Sequence, residues 1–325
     1  MRAIAVSDIG GTPELVDLPV PAPGPGEVLI RMTAASLNPV DLDIAHGRLS
    51  LPTTRPLVLG VDGAGRVVEV GAAVTEFAPG DLVHGQFFDA PLGRGTFAEY
   101  AVVGATPSHG ALQRTPDGLS AQVAATLPTA GMTALGVVES LDLESLDLES
   151  LDLRPGRTML IVGATGGVGV FAVQLAAARG AEVIATARAE AEAWIRELGA
   201  SQTIDYSTED VSELVRKTHP DGVDALLDLT RDQARFTTYA GLVRDGGSAI
   251  SVTFTASPEL LASERITATN FMMQDKPGLL ARITEEVISG RIIVPVERTI
   301  TLDEVPDALA RNAIGGARGK TVVRF

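Results

Sequence analysis

Residues 158–169 read TMLIVGATGGVG, and this stretch decides the fold. The run from Thr158 to Ala164 has the length and apolar content of a buried strand. GVFAVQLAAARG, from Gly169 to Gly180, has helical composition, and EVIATAR, from Glu182 to Arg188, is strand-like again. Strand, glycine-rich turn, helix and strand together make the repeating unit of a parallel sheet. Glycine at the junction lets the backbone approach a pyrophosphate, whose charge is met by amide N–H groups and the positive end of the helix. The turn therefore predicts dinucleotide binding through Gly163, Thr165, Gly166, Gly167, Val168 and Gly169. The alternative is a tight turn with no ligand.

The end of the following strand selects the cofactor. A site for NAD usually places Asp or Glu there to bond the ribose hydroxyls, whereas this chain has Thr186, Ala187 and Arg188. A guanidinium suits a 2′-phosphate, so the expected cofactor is NADPH, with Thr186 and Arg188 in its site. Glu190 and Glu192 pull the other way, and an ordinary solvated arginine is the competing reading of Arg188.

Working outward, the strand and helix signals repeat through WIRELGA, QTIDY, VSELVRKT, DALLDL and SAISV, as a doubly wound domain requires. Before about Leu127 the texture differs. Short β-rich runs such as VLIRMTAAS and VVEVG are broken by Pro and Gly, which predicts an irregular barrel or sandwich. Beyond Asp275 come a helix signal, LLARITEEVISG, and the strand-like TVVRF, which is expected to return to the first lobe. The fold class is α/β in two domains, and a chain of 325 residues with 45 % hydrophobic content can bury both cores.

Composition narrows the function. A formal charge of −15 with no basic run argues against nucleic acid. No stretch reaches the roughly 18 apolar residues of a membrane span, and MRAIAVSDIGG lacks the apolar centre of a secretion signal, so a cytosolic protein is expected. There are no cysteines, which excludes disulfides, thiol nucleophiles and thiolate zinc sites. Glu139 to Leu153 reads ESLDL three times in tandem. A period of five matches neither helix nor strand, and the two readings are a duplication tolerated in a surface connection or a self-association patch.

The segments AASLNPVDLDIAHG, LVLGVDGAGRVVEVG, FAPGDLVHG, GTFAEY, AATLPTAGMTA, LRPGRTMLIVGATGGVGVFAVQLA and ARGKTVV, in this order, span nearly the whole chain. Together they resemble the zinc-free quinone oxidoreductase, or zeta-crystallin-like, branch of the medium-chain dehydrogenase/reductase superfamily. The resemblance implies a GroES-like β-rich domain from residues 1–126 and 273–325, a Rossmann domain over residues 127–272, a cofactor in the cleft and a homodimer. It also implies that Asn38 and Thr133 lie near the nicotinamide and Tyr206 near the adenosine phosphate. Ser251, Val252, Asn270 and Phe271 would line the carboxamide pocket. For Asn38, Thr133 and Tyr206 the residues alone allow a turn before Pro39, a helix cap and a strand end.

Zinc-dependent relatives carry a cysteine where this chain has Asn38, and a His-Glu pair where it has Val61 and Asp62. Without a Lewis acid, reduction of a simple ketone loses its main charge stabiliser. A quinone or enone spreads the charge to a distant oxygen, so hydrogen bonds and one proton donor suffice. The expected substrate is therefore a quinone or conjugated carbonyl. The family tyrosine is replaced by Asp43 and a nearby basic residue by Ala45, leaving Asp43 and His46 as candidate proton donors beside Asn38, or else as a loop carboxylate and a surface histidine. Thr230 and Arg231 stand where the family has a glycine-containing turn, and Glu99 and Tyr100 read as barrel structure. A biosynthetic tailoring enzyme of the same fold and a non-catalytic NADPH sensor are the alternatives.

Overall fold

The computed structural model describes residues 1–49, 51–143, 156–273 and 278–325. Strands β1 (Arg2–Val6), β2 (Glu14–Asp17), β3 (Glu27–Ser36), β4 (Thr53–Val58), β5 (Asp62–Val70), β6 (Leu82–Gln86), β7 (Leu92–Arg94), β8 (Tyr100–Gly104) and β9 (Ala111–Arg114) come first, with helices α1 (Pro39–Ala45) and α2 (Ala121–Ala124). Next come helix α3 (Met132–Leu143), β10 (Thr158–Val162), α4 (Gly167–Ala178), β11 (Glu182–Thr186), α5 (Glu192–Glu197), β12 (Gln202–Ile204), α6 (Val211–Thr218) and β13 (Val223–Asp228). The chain continues through α7 (Gln233–Ala240), β14 (Val243–Ser251), α8 (Pro258–Leu261), β15 (Thr267–Asn270), α9 (Leu279–Ile288), β16 (Val296–Thr301), α10 (Val305–Ile314) and β17 (Lys320–Arg324).

Contacts divide the chain into two compact units, one of Met1–Met132, Gln274–Gly290 and Val294–Phe325, the other of Thr133–Met273 and Arg291–Ile293. Relative to the boundary expected at residue 127, Leu127–Gly131 is a π-helical turn that stays with the first unit. Its Thr129 explains why, since both its N–H and its hydroxyl donate to the Asp62 carboxylate. Residues 291–293 join the second unit because Gln174 on α4 donates to the Ile293 carbonyl and accepts from its N–H.

In the second unit six parallel strands run in the order β12-β11-β10-β13-β14-β15. Counted within this sheet the order is 3-2-1-4-5-6, the doubly wound arrangement in which ligands sit beyond the carboxyl ends of the strands. β10 and β13 are buried at every residue, which is why residues 159–162 and 225–227 are consecutive apolar residues rather than alternating ones, with Asp224 and Asp228 closing β13's apolar centre on either side. The first copy of ESLDL, Glu139–Leu143, continues helix α3, and Glu139 and Leu141 are buried, so this copy is not the surface connection expected. Residues 144–153, the other two copies, lie outside the described residues.

The first unit is β-rich, with a sheet β2-β1-β4-β7 and a second sheet β16-β17-β3-β5-β6-β9 to which β8 adds by pairing with β3. The terminal TVVRF does return to this lobe, as β17 pairing antiparallel with β3. Among the described residues no helix is long and apolar enough to cross a membrane.

Two polar clusters lock this unit. In the first, Lys320 is only 2 % exposed and donates to the Leu37 carbonyl and, at 2.7 Å, to the Asn38 side-chain oxygen. Asn38 in turn donates to Asp62 at 2.9 Å and to the Ser36 carbonyl. Asp41 accepts the backbone N–H groups of Asn38 and Val61, one on each oxygen. Burial pushes Asp41 up to about 8 and Asp62 to about 6, while it lowers Lys320. Burial thus works against the charged form of all three groups, and the charges of Asp62 and Lys320 oppose it by favouring one another. The second cluster centres on His84 of β6, which is fully buried. Gln113 of β9 lies 3.1 Å from its Nε2 and donates to Thr284 of α9, and Thr115 bonds its Nδ1. An amide donor at Nε2 makes that nitrogen the acceptor and puts the imidazole proton on Nδ1. Burial holds this histidine down at about 4.

Two outcomes follow from these clusters. The folded-state value for His84 lies below the unfolded value of 6.5, so its contribution is complete above pH 6.5 and is lost as pH falls toward 4. The urea-unfolding free energy of wild type should thus fall between pH 7 and pH 4 by about 3 kcal/mol more than that of His84→Gln, and equal slopes would refute the assignment. Lys320→Met should destabilise the protein by about 3–5 kcal/mol at pH 8, because it leaves the buried carboxylates without their cation. Part of that loss should return at pH 5, where Asp62 is protonated, and a shift below about 1 kcal/mol, the scale of an exposed ion pair, would show the lysine to be uninvolved.

Candidate cofactor and substrate site

The carboxyl ends of the parallel strands collect most of the expected residues. Val162, Asp228, Ser251 and Asn270 lie abreast, each paired with the next across β10, β13, β14 and β15. The glycine-rich turn begins immediately after Val162. Gly163 has φ of +83°, open to glycine without strain, and its N–H donates to the Thr186 hydroxyl at 3.2 Å. A Cβ on Gly169 would stand 2.5 Å from the carbonyl oxygens of Gly163 and Ala164, so only glycine lets α4 start this close to the strand. At Gly166, in contrast, a Cβ would meet nothing nearer than the Gly163 oxygen at 3.4 Å. Open space in front of the first turn of a twelve-residue helix, whose leading amides lack intrahelical partners, fits a phosphate group. Thr165, Gly167 and Val168 complete this turn and stand half-buried.

Beyond β11, Arg188 and Tyr206 meet. The Arg188 Nε donates to the Tyr206 hydroxyl at 3.3 Å, and the guanidinium sits 5.9 Å from the ring centre. The hydrogen bond to Tyr206 raises the Arg188 pKa further above its usual value, with smaller contributions from the charges of Glu190 and Asp205. Both side chains are exposed, and Ala189, the next residue, is anchored through its N–H to Asp205 at 3.1 Å.

Ser251, Asn270 and Phe271 are committed to shaping the neighbouring loop. The Ser251 hydroxyl accepts from the amides of Thr253 at 3.2 Å and Thr255 at 3.0 Å, and lies 2.7 Å from the Thr255 hydroxyl. The Asn270 carboxamide both accepts from and donates to the Ala256 backbone, at 3.0 and 3.1 Å. The Phe271 N–H donates to the Ser251 carbonyl, and the Val252 N–H reaches the Asp228 carbonyl at 3.4 Å. Inside the loop Phe254 takes φ of 61°, a left-handed conformation that costs a non-glycine residue about 1–3 kcal/mol.

Three residues of this edge escape sequence reasoning: Asp228, Thr230 in its bonding role, and Phe254. Asp228 is fully buried, and its Oδ1 accepts from the Thr230 N–H and hydroxyl at 2.7 and 2.5 Å. Its Oδ2 has no hydrogen-bond partner, and burial raises its pKa. Thr253 donates its hydroxyl to the Thr230 carbonyl, which ties the two strand ends together. A Thr-Thr pair spaced across two strand ends leaves no local pattern, but an aspartate closing the apolar run DALLD is a visible signal.

In the first unit, Asn38 caps α1 and is 2 % exposed, with its two amide hydrogens on Ser36 and Asp62 and its oxygen on Lys320. Asp43 lies on α1, with Oδ1 accepting from Arg48 at 2.7 Å. His46 follows the helix, exposed, its Nδ1 donating to the Leu42 carbonyl at 2.7 Å. Asn38 and His46 thus flank a seven-residue helix and stand about 12 Å apart along it. Glu99 bonds Arg2, in keeping with a barrel role. Thr133 is half-buried at the second position of α3.

Comparison with known proteins agrees with this architecture. Residues 24–113 match the alcohol dehydrogenase GroES-like domain, and residues 167–277 match the family described as zinc-binding dehydrogenase. The chloroplastic quinone-oxidoreductase QR1 of Triphysaria versicolor is 30 % identical over 99 % of this chain and 98 % of its own. The structure of the quinone oxidoreductase from Coxiella burnetii matches with a TM-score of 0.84 at 28 % identity, covering 100 % of this chain and 99 % of that one. Mycobacterial Rv1454c, solved in complex with NADPH, matches with a TM-score of 0.82 at 25 % identity over 100 % of both chains. With its GroES-like unit, its 3-2-1-4-5-6 sheet and these relatives, the chain belongs to the quinone oxidoreductase branch of the medium-chain dehydrogenase/reductase family.

Proposed function

We propose that the protein is an NADPH-dependent reductase of quinones or activated C=C bonds that works without zinc, as a cytoplasmic homodimer. The observation that carries the cofactor reading is the pairing of Arg188 with Tyr206 at the end of β11, in line with the glycine-rich turn. A cation held over an aromatic ring is a fixed, exposed positive charge suited to a 2′-phosphate. Gly163 to Gly169 would hold the pyrophosphate, Thr186 would brace that turn, and Thr133 would face the nicotinamide. NADPH supplies a hydride when bound. The NADPH complex of mycobacterial Rv1454c and the quinone oxidoreductases among the relatives support this reading.

The chain's own groups limit the chemistry. With Asn38, Val61 and Asp62 at the positions that hold catalytic metal in zinc-dependent relatives, and no cysteine anywhere, the donor set suits no zinc. A substrate that delocalises its own charge is favoured accordingly. Lys320 and Asp62 fix Asn38, so it acts as a rigid neighbour rather than a mobile donor. Asp43 is the proposed proton-handling group in this part of the chain, held by Arg48. A second reading, an NADPH-binding protein that does not turn over, is favoured by one feature: Asn38, Ser251 and Asn270 all use their polar atoms internally.

Single-turnover oxidation of NADPH across a panel of quinones and enones separates the two. Turnover that survives exhaustive chelation is expected, whereas tight NADPH binding without oxidation of any panel member would overturn the reductase in favour of the sensor. Arg188→Glu should weaken NADPH by roughly tenfold or more while leaving NADH within about twofold, as loss of a charge-assisted contact to phosphate implies. An unchanged NADPH to NADH preference in direct titrations would remove Arg188 from the site.

A further inference from the structure

Phe254 is the one non-glycine residue with positive φ among the described residues, and it is also 56 % exposed. Each property alone runs against stability. A glycine would take the same φ without strain, and a polar residue would solvate better. Strain of this kind persists only where surrounding bonds over-determine the backbone. Here they do. The Ser251 hydroxyl accepts from Thr253 and Thr255, the amides on either side of Phe254, while the Asn270 carboxamide grips both backbone groups of Ala256. Thr253 is further tied to the Thr230 carbonyl.

The clamped turn follows β14 at the carboxyl edge of the parallel sheet. Ser251 is abreast of Asp228, which is abreast of Val162, the last residue before the glycine-rich turn. Two strand spacings, about 10 Å, separate the phosphate-binding turn from the strand end that carries Phe254. That edge, at the crevice beyond the strand ends, is where a doubly wound sheet takes its ligands.

We propose that Phe254 is a stacking platform for the flat ring of the substrate, selecting planar aromatic quinones over small non-aromatic enones. The inference rests on the reductase reading and deepens it. The clamped backbone fixes the point from which the phenyl ring projects, so less backbone freedom is lost on contact and more of the ring–ring attraction is expressed in affinity. Aromatic stacking of this size corresponds to about three- to tenfold in a dissociation constant.

The test is calorimetric binding of 1,4-naphthoquinone and of 2-cyclohexenone to protein saturated with NADP+, which has no hydride to give. The chain has no thiol for the quinone to alkylate. Phe254→Gly should raise the melting temperature by releasing the strained φ, weaken naphthoquinone about three- to tenfold, and leave cyclohexenone and NADP+ within about twofold. Phe254→Tyr should restore naphthoquinone binding to near the wild-type value. Equal quinone affinity in wild type and Phe254→Gly, no quinone binding by wild type, an equal loss for both ligands, or a lower melting temperature in the glycine variant would each overturn the proposal. If naphthoquinone binds through Phe254 but the panel of quinones and enones oxidises no NADPH, the platform stands and the reductase reading falls. Turnover with quinone affinity unchanged across the variants overturns the platform alone.

Discussion

The ammonium group of Lys320 holds the first unit together. It has lost its water and regained three kinds of partner: the Leu37 carbonyl, the Asn38 oxygen and, through charge, the Asp62 carboxylate. A buried cation of this kind is tolerable only when its surroundings carry a matching negative charge. Asp62 supplies it, while Asp41, whose oxygens already cap Asn38 and Val61, is driven toward its neutral form by the same burial. Through Asp62 the arrangement also reaches Thr129, and so fixes the π-helical turn that precedes α3. The position of Asn38 is therefore a consequence of a charge balance involving strands far apart in sequence.

How much of this was legible depends on the range of the interactions. The parallel sheet was readable because β10 and β13 are buried on both faces and show it as consecutive apolar residues at their centres, 159–162 and 225–227. The glycine-rich turn was readable because Gly169 sits where any side chain would strike the carbonyls of Gly163 and Ala164. Asn38 and Asp41 are spaced three apart, the interval of a capping box, so the helix start was written locally as well. Lys320 was not legible: in ARGKTVV it reads as a charge at the start of a strand, and its partners lie near residue 38. Nor was the left-handed Phe254, since its conformation is set by a serine hydroxyl and an asparagine that share no periodic pattern with it.

The same contrast governs the carboxyl edge of the second sheet. Several polar residues expected to face a ligand brace the loop instead, Ser251 through the amides of Thr253 and Thr255 and Asn270 through both backbone groups of Ala256. What remains available is of another kind: the open amides of the first turn of α4, the exposed Arg188 and Tyr206, and the half-satisfied Asp228 at the end of β13. Rigidity is thus built from side-chain hydroxyls and amides, and recognition is left to backbone, charge and aromatic surface. That division suits precise positioning, because groups already locked by neighbours need no reordering when a ligand arrives.

The pairing of β17 with β3 also bears on how the protein comes into being on the ribosome. All six strands of the parallel sheet lie within one continuous stretch ending at β15, so that sheet can pair before β17 has been made. Asp41 and Asp62 are made early but meet their lysine only after residue 320 has been added, a delay of about 10–50 seconds at ordinary elongation rates. Throughout that interval the amino-terminal strands present an unfinished sheet edge and two acids with no counter-charge. Nascent-chain helpers would accordingly find their work on the first third of this polypeptide until β17 arrives.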